Sequence, residues 1–196
     1  MVMTNATASS KTLTAGYAHP CSTKPLWPPA LRRRHLQALC GITVPPSPPR
    51  VKFFMWLLVQ DRVQTRSNLL KKNIISDATC ELCHAVVETA EHLIFHCPIA
   101  DYLWRSVGMV HPPSHIQQLP ELRRPENVPA RHFPVFIALC CWNIWKHRNR
   151  VIFDKAPPSL QQLRNNCSED SRLWAWRLPT SDADFVSSWC SVLCPM

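Results

Sequence analysis

The apolar positions of the chain fall into blocks separated by capping residues and prolines, and the blocks carry helical spacing. From Arg50 the run VKFFMWLLVQ is almost continuously apolar, so periodicity alone does not separate a buried helix from a strand. Its Met, Trp and Leu content, with Pro49 just ahead, favours a helix starting near Arg50. A second helix is predicted from Thr65, an acceptable N-cap, with Leu69 and Leu70 toward the core and Lys71 and Lys72 offsetting the negative C-terminal end. Thr89 caps a third segment, AEHLIFH, placing His92 in the first turn and Leu93 toward the core. Cys97 then precedes Pro98, which opens a short helix, PIADYLWRSVG, with Ile99, Leu103 and Trp104 near one face and Gly108 as its stop.

Two longer helices are predicted beyond these, over roughly 133–153 and 159–178. In the first, Phe136, Cys140, Ile144 and His147 form one stripe, and Phe133, Ile137, Cys141 and Trp145 its neighbour. Ser159 caps the second, after two prolines. No internal repeat and little strand alternation are present, so the fold class is mostly α.

Proline distribution divides the chain. Of 196 residues nineteen are proline and three glycine, and the prolines cluster in LWPPALRRRH, VPPSPPR and HPPSH. Paired prolines fix φ and remove donors, which favours extended segments. Residues 1–48, rich in Ser, Thr, Ala and Pro, are expected to form a disordered arm. The expected order is then a small domain over 49–108, a Pro-rich linker over 109–131, a two-helix region over 132–180 and a tail over 181–196 with no clear reading.

Charge is also uneven. The net +9 divides into +6 over residues 1–50, which hold no acid, zero over 51–110, and +3 over 111–196. A basic arm on a neutral core suits non-specific contact with phosphates, while a plain solvated tail is the favoured reading. The same acid-free start has the composition of an organelle transit peptide, a less favoured reading. The most apolar run, FPVFIALCCWNIW over 133–145, is too short to span a bilayer and contains Asn143, so no membrane role is expected. No continuous apolar h-region marks the first thirty residues. Ten cysteines would suit a secreted disulfide scaffold, but eight tryptophans and several long helices supply a core without one. An intracellular setting, nucleus or cytoplasm, is the expectation.

Chemistry concentrates in CELCHAVVETAEHLIFHC, residues 80–97, where three cysteines and three histidines share one span. The pattern C-x2-C-x8-H-x4-C selects Cys80, Cys83, His92 and Cys97. Two cysteines separated by two residues turn both sulfurs toward one point, and the following helical turns deliver His92 and Cys97. Three thiolates and one imidazole form a structural zinc set with no position left for water. His84 adjoins Cys83 and would need a reversed turn, while His96 lies across its helix from His92, so both are set aside. The residues predict one structural zinc ion, and a metal-free cysteine cluster is the alternative.

The ordered run VKFFMWLLVQDRVQTRSNLLKKNI, then CELC, then ETAEHLIFHCPIADYLW, resembles the zinc-binding domain that follows reverse transcriptase in plant non-LTR (LINE-type) retroelements. The resemblance rests on the apolar Lys52–Leu57 helix, Arg62–Leu69, the Cys80/Cys83 pair, Glu88–Cys97, and Trp104, covering about residues 49–107. The later CCWNIWKHRNRVIFDK resembles the tail that often succeeds this domain. The resemblance implies a zinc-stapled helical accessory module of a retroelement polyprotein. The chain has no Asp-Asp pair of the kind a reverse transcriptase uses, and its acids are too scattered for an RNase H site. An excised or decayed fragment without catalytic activity of its own is the expectation. Its nucleic-acid contacts would come from Lys71, Lys72, the Arg32–Arg34 run and Lys146, Arg148 and Arg150. Two alternatives remain: a protein-interaction or residual fold with a purely structural zinc, and a small metal-dependent nuclease built on His147.

Overall fold

The computed structural model of the chain describes residues 47–109, 113–126 and 128–177, together with Trp189 and Leu193. The expected disordered arm lies outside the described residues except for Ser47 and Pro48, which are buried. In chain order the elements are α1 (Pro49–Val59), α2 (Arg66–Lys71), a π-helical turn (His92–His96), α3 (Pro98–Ser106), 3-10 turns at Ile116–Glu121 and Ala130–His132, α4 (Phe133–Phe153) and α5 (Leu160–Ala175). Among the described residues there is no strand, and the Thr79–Val87 antiparallel bridge stands isolated. The mostly α expectation holds.

Helix starts follow the proline and cap signals. Pro49 occupies the first turn of α1, Pro98 that of α3, and a proline also opens α4, where a missing N–H costs no intrahelical bond. Ser159 Oγ accepts from the Gln162 N–H at 3.2 Å to cap α5, and Thr65 caps α2 by accepting from Asn68 N–H at 3.4 Å. Gly108 ends the α3 region at φ +83°, a left-handed conformation that a Cβ would strain.

The core is built across α4. Its Phe136, Cys140, Cys141 and Ile144 are fully or almost fully buried, as the two predicted stripes require. α5 packs along it through Leu163, Cys167 and Trp174. α1 packs across it, where Phe54 meets Trp142 edge-on at 5.3 Å and Trp145 in a stack at 5.9 Å. A polar tie joins the two long helices: the Asn143 amide and the Lys146 ammonium both donate to Asp170, at 3.1 and 2.8 Å.

Three features depart from the pattern. In α2 the buried side chain is Asn68, whereas Leu69 is half-buried and Leu70 is 40% exposed. A six-residue helix docks by its polar contacts: Asn68 Nδ2 donates to the carbonyls of Asp61 and Val63 at 2.9 and 3.0 Å, which closes the turn after α1. The Pro-rich stretch 109–131 is packed, since Met109, Ile116, Leu119, Leu122 and Val128 all join the hydrophobic core. Prolines there stop regular helix without preventing side-chain burial. From the tail, Trp189 lies against Phe136 at 5.8 Å and the Leu193 carbonyl accepts from Arg164 Nε at 2.7 Å. No helix among the described residues is long and apolar enough to cross a membrane.

Candidate metal centre

The ligand-bearing segment begins as a tight knuckle. The Cys80 N–H donates to the Val86 carbonyl and the Glu88 N–H to the Ala78 carbonyl, both at 2.8 Å, so the chain doubles back around the cysteine pair. The His84 N–H returns to the Cys80 carbonyl at 2.8 Å, with His84 itself at φ +53°. This reversal points the two cysteines to one side and leaves His84 exposed.

The next two ligands arrive through an irregular helix. Thr89 Oγ1 accepts from the His92 N–H at 3.1 Å, as its capping role predicts. The Cys97 N–H then bonds the His92 carbonyl at 2.6 Å, an i to i−5 link that widens the turn. Such π turns concentrate at functional positions because they re-aim side chains. Cys97 leaves the turn with φ −65° and ψ 133°, the extended conformation that a following proline imposes. The indole N–H of Trp104 on α3 donates to the Ile94 carbonyl at 2.6 Å, stitching α3 onto the same turn.

One ligand atom from each of Cys80, Cys83, His92 and Cys97 lies within 4.8 Å of all the others. Around a tetrahedral zinc, sulfur–sulfur edges are about 3.8 Å and sulfur–nitrogen edges about 3.6 Å. The Cys83 Sγ to His92 Nε2 distance is 3.4 Å, so the residues present fit the ion. Cys80 and Cys97 are fully buried and His92 nearly so. His96 is exposed on the far side of the turn and, like His84, stays outside the cluster.

The electrostatics of the cluster are those of a shared proton set. A hydrogen bond to Cys97 and then burial push the Cys80 thiol up to about 12. That same bond from Cys80, aided by N–H groups of Ile99 and Ala100 at the start of α3, holds the Cys97 thiol below its ordinary value. Hydrogen bonding to Cys80 raises His92 against the opposing effect of burial. A divalent ion held by these four residues would take the place of those protons, because thiolate and neutral imidazole are the ligating forms.

Residues 22–104 match the family model described as zinc-binding in reverse transcriptase. This segment carries a reverse transcriptase zinc-binding domain. No curated protein and no solved structure matches the chain. The match begins well before Pro49, the start expected from hydropathy, and its residues 22–46 lie outside the described residues. With the ligand set, it makes one structural zinc ion the cofactor of the reverse transcriptase zinc-binding domain.

A residue pair that sequence reasoning did not join anchors the zinc-binding domain to α4. Glu88, fully buried just before the π turn, receives the Arg148 guanidinium: Nη2 donates to Oε1 at 2.6 Å, and Nε lies 3.1 and 3.2 Å from the two carboxylate oxygens. Glu88 Oε1 also accepts the Arg66 N–H at 2.9 Å, so α2 docks on the same carboxylate. Arg148 further donates to the Gln64 carbonyl at 3.2 Å and lies 5.0 Å from the Trp145 ring centroid. Both partners sit in the quoted motifs, ETAEH and WKHRN, but sixty positions apart.

This placement corrects one candidate contact. Arg148 is 2% exposed and committed to Glu88, so it offers nothing to a phosphate. Lys146 is partly buried against Asp170 and Arg150 is half-buried. Lys71 and Lys72 are exposed, Lys71 pairing with Asp61 at 3.5 Å and Lys72 donating to Gln64 Oε1 at 2.9 Å. Arg32–Arg34 lie outside the described residues. His147 is buried, and its Nε2 accepts the Ser159 N–H at 3.2 Å, which turns it into a joint between α4 and α5.

Proposed function

We propose that the chain is a zinc-stabilised accessory module derived from a plant LINE-type retroelement polyprotein, without catalytic activity of its own, working in the nucleus or cytoplasm and contacting nucleic acid through its basic surface. The observation that carries this reading is the closed Cys3His cluster inside the matched span. Four protein ligands complete a tetrahedron, whereas a catalytic zinc keeps one position open for water or substrate. The burial of His147, with its Nε2 accepting the Ser159 N–H, weighs against a nuclease reading built on that residue.

Phosphate contact is supported by Lys71 and Lys72, both exposed at the end of α2, by the half-buried Arg150, and by the +6 charge of residues 1–50. The test is binding of the zinc-loaded chain to labelled DNA and RNA across a salt series. Affinity that falls steeply as salt rises supports the reading, because each neutralised phosphate releases counterion. No binding even at low salt overturns the nucleic-acid part of it. A second reading, a protein-interaction module, draws on Trp176 and Leu173, which are 90% and 65% exposed on and just beyond the last turn of α5. Salt-insensitive capture of a protein partner that is lost in Trp176→Ala would favour it.

A further inference from the structure

The outward face of α1 carries a feature that neither zinc binding nor core packing uses. Phe53 is 55% exposed and stacks with Trp56 at 5.9 Å between centroids and 22° between planes. Positions three apart share a helix face, so the pair forms one aromatic surface. The Arg62 guanidinium, from the turn after α1, sits 5.8 Å from the Trp56 ring centroid. Beside it opens a cleft of about 450 Å³ bordered by Leu57, Arg62, Gln64, Lys71 and Lys72, with Asp61 the one acid among its lining residues. From Pro49 to Lys72 the chain holds six basic residues and that single acid. Of the six, Arg66 is taken up by Asp77 and Glu81, Lys71 pairs with Asp61 at 3.5 Å, and Arg50 lies over the Trp142 ring.

We propose that this strip reads single-stranded nucleic acid: a base stacks on Phe53, and the adjoining phosphate enters the cleft between Arg62 and Lys72. The proposal rests on the nucleic-acid reading above and adds the strand state and the residues. Its physical basis is the combination of a flat exposed ring with a basic cleft directly alongside. In a duplex, base faces are already covered by their neighbours, so an exposed ring gains a stacking partner only from an unpaired strand. The cations supply the sequence-independent attraction along the backbone. Apolar partner surfaces would be served by the rings but not by the cluster of cations around them, which selects a polyanion over a protein face.

The test uses the full zinc-loaded chain, fluorescence anisotropy, and a labelled oligothymidylate beside a mixed-sequence duplex of matched length. The single strand is expected to bind more tightly. Phe53→Ala should weaken single-strand binding roughly 5- to 100-fold and leave duplex binding unchanged, while Phe53→Trp restores it. Lys72→Gln should weaken both and reduce the salt slope by about 1. Zinc stoichiometry and circular dichroism show whether each variant is folded, which the exposure of Phe53 leads us to expect. Equal binding of both forms with Phe53→Ala silent overturns the stacking strip and leaves the phosphate reading in place. Absence of binding by either form at low salt overturns both.

Discussion

The knuckle over residues 75–107 and the α4–α5 pair lie side by side, yet different physics holds each. The long helices bury paired apolar stripes, with Phe136, Cys140, Ile144, Leu163 and Cys167 all removed from water. Area burial at about 25 cal/mol per Å² suffices for such a pair. Apart from the nine-residue α3, the knuckle has only a helical turn of five residues, one isolated bridge and a set of local hydrogen bonds. Segments this short do not hold their shape alone, since a first helical turn costs more than it returns. Four side chains converging on one ion supply what length does not. The comparison teaches that the same chain relies on burial alone where a helix runs 21 residues, and adds a point tether to the buried Leu93, Phe95, Leu103 and Trp104 where its segments are short.

Metal removal should break the comparison most severely. Structural zinc sites are worth roughly 10–16 kcal/mol in small peptides. Chelation, or Cys80→Ala or Cys97→Ala, is therefore expected to abolish zinc binding and expose residues 75–107 to hydrogen exchange and protease. The α4–α5 pair should keep most of its protection. If exchange rates in the knuckle stay unchanged after chelation, the tether is not the ion.

Next in size is the Glu88–Arg148 pair, the polar bond between the two regions. Removing one member leaves the other charged in a dry site, at a cost of about 3–5 kcal/mol. Arg148→Met should lower the denaturation midpoint accordingly, and Glu88→Gln with Arg148→Met should recover part of the loss. A double variant as unstable as the sum of the singles would show that the two residues act independently.

A smaller effect is expected from pH. Burial, and then the charge of Arg150, hold His147 below its ordinary value of 6.5. Above that value both folded and unfolded chains keep it neutral and it costs nothing. As pH falls below it the unfolded chain takes the proton first, so stability declines toward the depressed folded value. Thermal melting between neutral and mildly acid pH should fall more steeply in the native chain than in His147→Gln, which retains an acceptor for the Ser159 N–H. Identical pH slopes would remove His147 from the account. At the bottom of the scale, His84→Ala and His96→Ala should each retain one zinc per chain, because both residues are exposed and lie outside the cluster.

Much of this was legible in the sequence where local rules decide. Proline positions and Ser159 and Thr65 caps marked the helix starts, α4 spans the predicted 133–153, and ligand spacing named the four residues that converge. What escaped was decided by tertiary contact. Leu69 and Leu70 look like core residues, but a six-residue helix oriented by Asn68 and Glu88 has no freedom to bury them. The Pro-rich 109–131 has no periodicity, yet its apolar side chains fill space beside α1 and α4. Arg148 reads as a surface cation until the carboxylate sixty positions earlier is placed beside it.

That last pair separates two boundaries that are easily taken as one. The recognisable family segment stops at residue 104, but the counter-charge for its buried carboxylate comes from position 148. Drift at either site is thereby tethered to the other, and an exchange of the downstream region succeeds only if the incoming sequence brings an arginine to the same place. The heritable unit is wider than the recognisable one.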